Sequence, residues 1–303
     1  MKIKLKPLEE QVLVITGASS GIGLATARLA AKRGAQVVLV ARSEETMADV
    51  VEEINDEGGK AAFYSCDVGK RKEVDALVSA VVSQFGRIDT WVNNAGVSIY
   101  GRLDEVSEED SRRLFETNFW GVYHGSLAVL PHLKSAGGAL INIGSEVSEA
   151  VVPLQGMYSA SKHAVKGFTD ALRIETEEID KAPVAITLIQ PAATDTPFPQ
   201  HARNYMSREP KLPTPLEDPE DVAEAILNAA VKPTRSKKVG AMSKLNTATA
   251  KFVPALADKM AAQQANRQQY DEAPRHPEGT IDEAGELVSG AGRIRGSGGR
   301  EAT

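Results

Sequence analysis

A chain of 303 residues with 42% hydrophobic and 25% charged side chains has the makeup of an ordinary globular protein, long enough for one large α/β domain and a little more. Its formal charge of −6 argues against the basic field that nucleic-acid binding needs, and its single cysteine, Cys66, excludes an internal disulfide and a cysteine-based zinc site. No apolar run approaches the ~20 residues of a membrane span, and no secretory-type apolar segment follows the basic start Met1–Lys6, so the cytoplasm is the expected compartment.

Strand and helix patterns alternate from the start. Val12–Thr16 is a short β-branched run, followed by glycine-rich punctuation and a helical pattern over Gly21–Arg33. Gln36–Ala41 is an apolar strand and Glu44–Glu57 a helix; Lys60–Asp67, Glu73–Phe85 and Ile88–Asn93 repeat the alternation. A long helix is predicted over Glu108–Leu133, then a strand at Ala139–Gly144, a helix over Gln155–Ile179 and a strand at Val184–Gln190. Strands too apolar to alternate imply a sheet covered on both faces, and βαβ repetition implies parallel pairing. The expected fold is therefore α/β: a Rossmann-type doubly wound parallel sheet flanked by helices, with ligands bound beyond the carboxyl ends of its strands.

After Gln190 the chain changes character. Pro191–Pro219 holds seven prolines, which exclude a continuous helix or central strand and leave a loop long enough to serve as a lid. Asp218–Val231 reads as a helix and Lys237–Ala241 as a last strand. Asn246–Gln269 has helical composition, interrupted by Pro254; its apolar Phe252, Val253, Leu256 and Met260 are expected to dock within the protein, with a second subunit or a membrane surface as alternatives. From Asp271 the chain is polar and carries seven glycines, so it buries too little apolar area to offset its ordering entropy and reads as a disordered tail. The expected layout is a catalytic domain over 1–241 including a substrate loop at 191–219, a helical extension over 242–270, and the tail 271–303.

Thr16-Gly17-Ala18-Ser19-Ser20-Gly21-Ile22-Gly23 joins the first strand to the first helix. Glycine there permits a tight turn and lets a pyrophosphate approach the backbone, while the helix N-terminus offers free N–H groups and a favourable dipole. Gly17–Gly21 also matches the G-x-S-x-G nucleophile elbow, with Ser19 as nucleophile. A hydrolase elbow of that kind follows several strands, whereas one strand at most precedes this turn, and Gly23 has no part in it. At the end of the second strand, Val40-Ala41-Arg42-Ser43 lacks the carboxylate that would bond adenosine ribose hydroxyls. Arg42 instead suits a 2′-phosphate, with Ser43 adding a hydrogen bond, so NADP is favoured and NAD remains the alternative.

Tyr158 and Lys162 are four apart in a predicted helix and project from one face. A phenol with its usual pKa near ~10 is a poor base; a neighbouring ammonium and a positively charged oxidised nicotinamide would stabilise the phenolate and lower that value.

With these residues in one order, the chain resembles the short-chain dehydrogenase/reductase superfamily over Leu8–Val239. The resemblance rests on the Thr16–Gly23 turn, Asp67-Val68, Asn93-Asn94-Ala95-Gly96, Asn118, Ser145 and Tyr158-x-x-x-Lys162, and is similar in detail to bacterial members with a longer C-terminal extension. It implies that Tyr158 is the general acid/base, that Lys162 tunes it and bonds the nicotinamide ribose, that Ser145 bonds the substrate oxygen, and that Asn118 holds a water in a proton relay through its backbone. Asp67 would bond the adenine amino group with Val68 beside the ring. Asn94, Ala95 and Gly96 would border the adenosine half, and Asn93 would support the central sheet. Where members often read Pro-Gly-x-x-x-Thr, this chain has Pro191-Ala192-Ala193-Thr194-Asp195-Thr196; alanine at 192 bears on the local backbone, and Thr194 or Thr196 would bond the carboxamide.

Ser98, Tyr100, Glu146, Val147, Gln155 and the Pro197–Pro215 loop are expected around the substrate. None of the five histidines has metal-ligand spacing, and no metal is expected. These readings combine into an NADP-preferring oxidoreductase acting on a small-molecule alcohol or carbonyl compound, expected as a homodimer or homotetramer through its two long helices. The competing reading is a dinucleotide sensor that kept the fold and lost catalysis; Ser145, Tyr158 and Lys162 together argue against it.

Overall fold

The computed structural model describes residues 3–265, 267–283 and 292–296. Seven strands form one sheet, and every pairing in it is parallel. In chain order the elements are β1 (Val12–Thr16), α1 (Gly21–Lys32), β2 (Gln36–Ala41), α2 (Glu44–Asp56), β3 (Lys60–Ser65), α3 (Arg71–Phe85) and β4 (Thr90–Asn93). A two-residue strand β5 (Ile99–Tyr100) precedes α4 (Glu108–Phe115), α5 (Gly121–Ala136), β6 (Gly138–Ile143), α6 (Gly156–Arg173) and β7 (Val184–Pro191). Then follow β8 (Arg203–Asn204), α7 (Pro219–Val231), β9 (Ser236–Val239), α8 (Ala241–Phe252) and α9 (Pro254–Ala265). The sheet order β3-β2-β1-β4-β6-β7-β9 is that of a doubly wound fold.

Alternation along the strands divides the core. Leu13, Ile15, Val37 and Leu39 pack with α1, α2 and α7 on one face, while Val12, Val14, Val38 and Val40 pack with α3 and α5 on the other. Both sets are buried, which is why these strands read as continuous apolar runs. The order reverses between β1 and β4, and the crevice opened there carries the site.

Two helices are interrupted where periodicity predicts continuity. A π-helical turn at Glu116–Trp120 separates α4 from α5, and another at Ile174–Ile179 follows α6. The first contains Asn118, whose side chain reaches out of the helix to the backbone of Val97.

The C-terminal region departs from expectation twice. Phe252, Val253 and Leu256 do not dock: they are 74%, 50% and 49% exposed. Pro254 starts a new helix, and the residues α9 turns toward the domain include Ala257, Met260 and Ala261. The expected tail is ordered where it is described: Thr280 and Ile281 are buried, Ile281 joins a cluster with Val97, Ile99 and Leu114, and Ile294 packs against the larger core cluster. Backbone pairing supplies what composition lacks, as in Asn204 N–H to Pro277 O (2.8 Å) and Thr280 N–H to His201 O (2.9 Å). Residues 284–291 and 297–303 of that predicted tail lie outside the described residues.

Candidate active site

The turn after β1 is built by close approach. Gly17 has φ +65°, and a Cβ on it would lie 2.7 Å from Ala95 Cα. At Gly23 a Cβ would lie 2.2 Å from Gly17 O, so only glycine lets α1 begin this close to the turn. Asn94 secures the arrangement: its Nδ2 donates to Thr16 O (2.9 Å) and Gly17 O (3.1 Å). The N–H groups of Asn94 and Ala95 donate to Thr16 Oγ1. The Asn94 amide thus holds the glycine turn, a role beyond bordering the cleft. Ser20 is the N-cap of α1 and makes no capping hydrogen bond through its hydroxyl.

A continuous cleft runs along the carboxyl ends of the strands. Its wall includes Gly17, Ser19, Ser20, Gly21 and Ile22 from the turn, Arg42 and Ser43 after β2, and Asp67 and Val68 after β3. Asn94, Ala95 and Gly96 continue it after β4, with Ser145, Tyr158, Lys162, Pro191, Thr194 and Thr196 at the far end. Gly23 and Asn118 stand behind this wall, Gly23 against Gly17 and Asn118 against Gly96. Ala192 needs no left-handed backbone, since the non-glycine residues with positive φ are Leu154 and Lys181 among those described. Alanine therefore fits where glycine is frequent. Thr194 and Thr196 are buried, donating to Ala192 O (2.9 Å) and Thr194 O (3.3 Å).

At the end of the cleft beside β2 and β3, Arg42 is not a free guanidinium. It donates to Thr280 O (2.5 Å) and Ile281 O (3.4 Å), and desolvation by these neighbours lowers its pKa. Ser43 donates to Thr46 Oγ1. Asp67 is buried and ion-paired with Arg113 at 3.1 Å.

At the other end Ser145, Tyr158 and Lys162 converge. The hydroxyls of Ser145 and Tyr158 are hydrogen-bonded, and Ser145 Oγ also accepts from Val147 N–H (3.3 Å), capping the short turn that follows β6. Lys162 Nζ donates to Ile143 O (2.9 Å) and lies 5.7 Å from the Tyr158 ring centroid. Desolvation raises the phenol's pKa above its ordinary value, outweighing the Ser145 hydrogen bond, and the Glu146 carboxylate adds to the rise. Burial brings the Lys162 ammonium down to about 8. Burial thus opposes the ionisation expected of this phenol, because loss of water costs the phenolate more than the Ser145 hydrogen bond returns, and the protonated form of Tyr158 is favoured by these walls. Asn118 does not touch this group. It is fully buried, accepting from Val97 N–H (2.8 Å) and donating to Val97 O (2.9 Å) and Ser161 Oγ (3.1 Å).

A family model described as short chain dehydrogenase matches residues 11–206. The chain belongs to the short-chain dehydrogenase family. This short-chain dehydrogenase is 42% identical over 279 residues to the uncharacterized oxidoreductase YxnA of Bacillus subtilis, covering 91% of this chain and 78% of that one. It is 36% identical over 197 residues to a 3beta-hydroxysteroid dehydrogenase of Mediterraneibacter gnavus, covering 64% and 70%. Among solved structures it resembles an alcohol dehydrogenase of the archaeon Thermococcus sibiricus complexed with 5-hydroxy-NADP, with a TM-score of 0.65, 31% identity and coverage of 76% and 94%. A short chain dehydrogenase/reductase of Burkholderia phymatum in complex with NAD gives a TM-score of 0.73 at 26% identity, covering 82% and 96%.

In this short-chain dehydrogenase the cleft that holds Ser145, Tyr158 and Lys162 is also lined by Glu146, Val147, Val152, Gln155, Phe198 and Leu212. Ser98 and Tyr100, expected here, are buried behind the wall, with Ser98 donating to Gln155 (3.4 Å). Glu146 does not face solvent: Asn246 of α8 donates to its Oε2 at 2.8 Å, the Ala193 N–H donates to it, and burial raises its pKa. It also borders a second cavity between the 146–152 turn and α8–α9. Phe198 and His201 reach the cleft from the Pro197–Pro215 loop expected around the substrate, whereas Thr117, Val152 and Thr280 line it without any signal in the sequence. Phe198 packs 5.5 Å from the Tyr158 ring, and the proline-rich stretch around it was the one available signal. Burial lowers His201 to about 4, so it is neutral, and its Nε2 is buried with no hydrogen-bond partner among the described residues. No group of three His, Cys, Asp or Glu among the described residues could hold a metal ion, and no described helix is long and apolar enough to cross a membrane.

Proposed function

We propose that this chain is an NADP-preferring alcohol dehydrogenase or ketoreductase acting on a compound with an apolar body. The observation that carries this reading is the Ser145–Tyr158 hydrogen bond, with Lys162 beside it, at one end of a cleft whose other end is the glycine turn. The residues fit a nicotinamide dinucleotide. Gly17 and Gly23 form a cradle that a Cβ would fill, and His201, whose buried ring nitrogen has no partner among the described residues, lines the same cleft. Arg42 at the tip of β2, with no carboxylate there, favours the 2′-phosphate, and a solved relative of this fold is complexed with 5-hydroxy-NADP.

In this reading Ser19, Ser20 and Ile22 at the start of α1 hold the pyrophosphate, Asp67 and Val68 flank the adenine, and Thr194 or Thr196 orients the carboxamide. When bound, the nicotinamide supplies the hydride in reduction and accepts it in oxidation. Ser145 donates to the substrate oxygen and fixes it against Tyr158. Tyr158, kept protonated by its surroundings, gives its proton to the oxygen as negative charge develops there. Lys162, tethered to Ile143 O, stabilises the phenolate that remains. Asn118 ties the π turn to Val97 and so sets the backbone beside Gly96, where a relay water would bind. The apolar wall of Val147, Val152, Phe198 and Leu212 excludes water and receives the substrate body.

Following NADPH absorbance against a panel of aldehydes and ketones, with NADH in parallel, tests the proposal. Turnover of at least one apolar carbonyl compound, faster with NADPH, is expected. Binding of either dinucleotide without turnover of any member would overturn the catalytic reading in favour of a sensor.

A further inference from the structure

Described parts of the C-terminal region meet residues of the cleft wall at three places. At the adenosine end, Thr280 and Ile281 present their carbonyls to Arg42, and Ile281 is only 1% exposed. At the glycine turn, Gly21 N–H donates to Arg293 O and Gly292 N–H donates to Ser19 O, both at 2.9 Å. Gly292 takes φ +75°, a conformation that glycine adopts freely. On the opposite bank Gly296 lies flat on the loop after β7: a Cβ there would stand 2.3 Å from Thr196 O. Beside it Arg295 pairs with Asp218 at 2.7 Å, at the N-terminus of α7.

Residues 292–296 therefore bridge the two banks of the cleft, from the first amide of α1 to Thr196. They do not fill it. With the bridge seated, Ser19, Ser20 and Ile22 still line one continuous cleft with Arg42, Thr280 and Tyr158. The bridge is weakly held, by two backbone hydrogen bonds, the half-exposed Arg295 pair and the contact of Ile294 with the core, so opening it costs far less than unfolding the domain.

We propose that residues 292–296, with Thr280 and Ile281, complete the cofactor site as a strap that closes over the pyrophosphate of a bound dinucleotide and swings off Gly21 for its entry and exit. This rests on the dinucleotide reading above. The strap slows exchange of the cofactor because release requires the Gly21–Arg293 and Ser19–Gly292 bonds to break first.

The test uses the full chain. Gly296→Val drives a side chain into Thr196 O, and Gly292→Pro removes the donor to Ser19; both act outside the folded core. NADPH dissociation is measured by stopped-flow displacement, reading cofactor fluorescence, and tryptic cleavage after Arg293 and Arg295 is followed by mass spectrometry. The strap predicts dissociation about tenfold faster in each variant, the loss of roughly one to two hydrogen bonds' worth of restraint. It also predicts that NADPH slows cleavage at both arginines in the parent chain and not in the variants. Equal dissociation rates, or tighter binding in the variants as a competing segment would give, overturn the strap while leaving dinucleotide binding intact. Cleavage after Arg293 as fast with NADPH as without it overturns the strap as well. Failure of parent and variants alike to bind NADPH or NADH removes the dinucleotide reading itself, and the strap falls with it.

Discussion

Replacing Tyr158 with phenylalanine removes one oxygen and leaves the ring against Phe198, 5.5 Å away between centroids. The fold loses one hydrogen bond, to Ser145, whose hydroxyl keeps its contact with Val147 N–H. A neutral pair of this kind contributes about 1 kcal/mol, so the midpoint of chemical denaturation should move little. Chemistry should suffer far more. A positioned general acid contributes about 10²–10⁴-fold, which is roughly 3–5 kcal/mol of barrier. Neither neighbour replaces the phenol: Lys162 is tied to Ile143 O, and the Ser145 hydroxyl, a much weaker acid than a phenol, keeps its proton. Cofactor binding should stay within about a factor of two, because the anchoring turn, Arg42 and Asp67 are untouched. The assay is single-turnover NADPH oxidation with a carbonyl compound from the active set, alongside fluorescence titration of NADPH. A Tyr158→Phe protein that keeps turnover within about tenfold of the parent would refute the acid role, since that is below the smallest effect such a group supplies.

Three further outcomes follow from the same geometry. Burial holds Lys162 at about 8, so its ammonium is present below that pH and lost above it; kcat for carbonyl reduction should fall as pH rises through about 8, and Lys162→Arg should carry that falling limb to higher pH in a pH–rate profile. Arg42→Ala should weaken NADP(H) about 10- to 100-fold, the worth of a charge-assisted contact, and change NAD(H) only a few-fold, as read by parallel titrations. Asn93→Leu should destabilise the protein by roughly 3 kcal/mol or more in urea. Asn93 accepts from Trp91 Nε1 (2.7 Å) and donates to Asn142 (2.8 Å) and Ser126 (3.0 Å), all buried, and its loss strands these partners.

Much of this molecule is decided by short stretches of sequence. Val12–Thr16 and Gln36–Ala41 announce buried strands because every second residue faces one helical layer and the rest face the other. The Gly17–Gly23 turn is legible because Gly23 lies against Gly17 O and Gly17 takes φ +65°, constraints within seven residues, although the contact of Gly17 with Ala95 is a long-range one. Tyr158 and Lys162 share a face through helical periodicity alone. Their ionisation did not follow from that spacing: it depends on how much water the folded walls remove, and those walls come from segments far apart in the chain.

What tertiary structure alone decided are long-range contacts between main-chain groups and small residues. Composition counts apolar side chains, so the stretch from Asp271 reads as disordered; yet its described parts are held by carbonyls meeting Arg42 and Gly21, by Gly296 lying on Thr196, and by the isolated Ile281 and Ile294. The partners of Arg42 lie 238 and 239 residues away, and Asn246 reaches Glu146 across 100. Conversely, Phe252 and Leu256 look like core residues and stand in solvent, because Pro254 restarts the helix with a different face inward. Local patterning sets which elements form and which side chains share a face; the closure of the cleft depends on backbone groups that carry no residue-type signature and meet only when the chain folds back on itself.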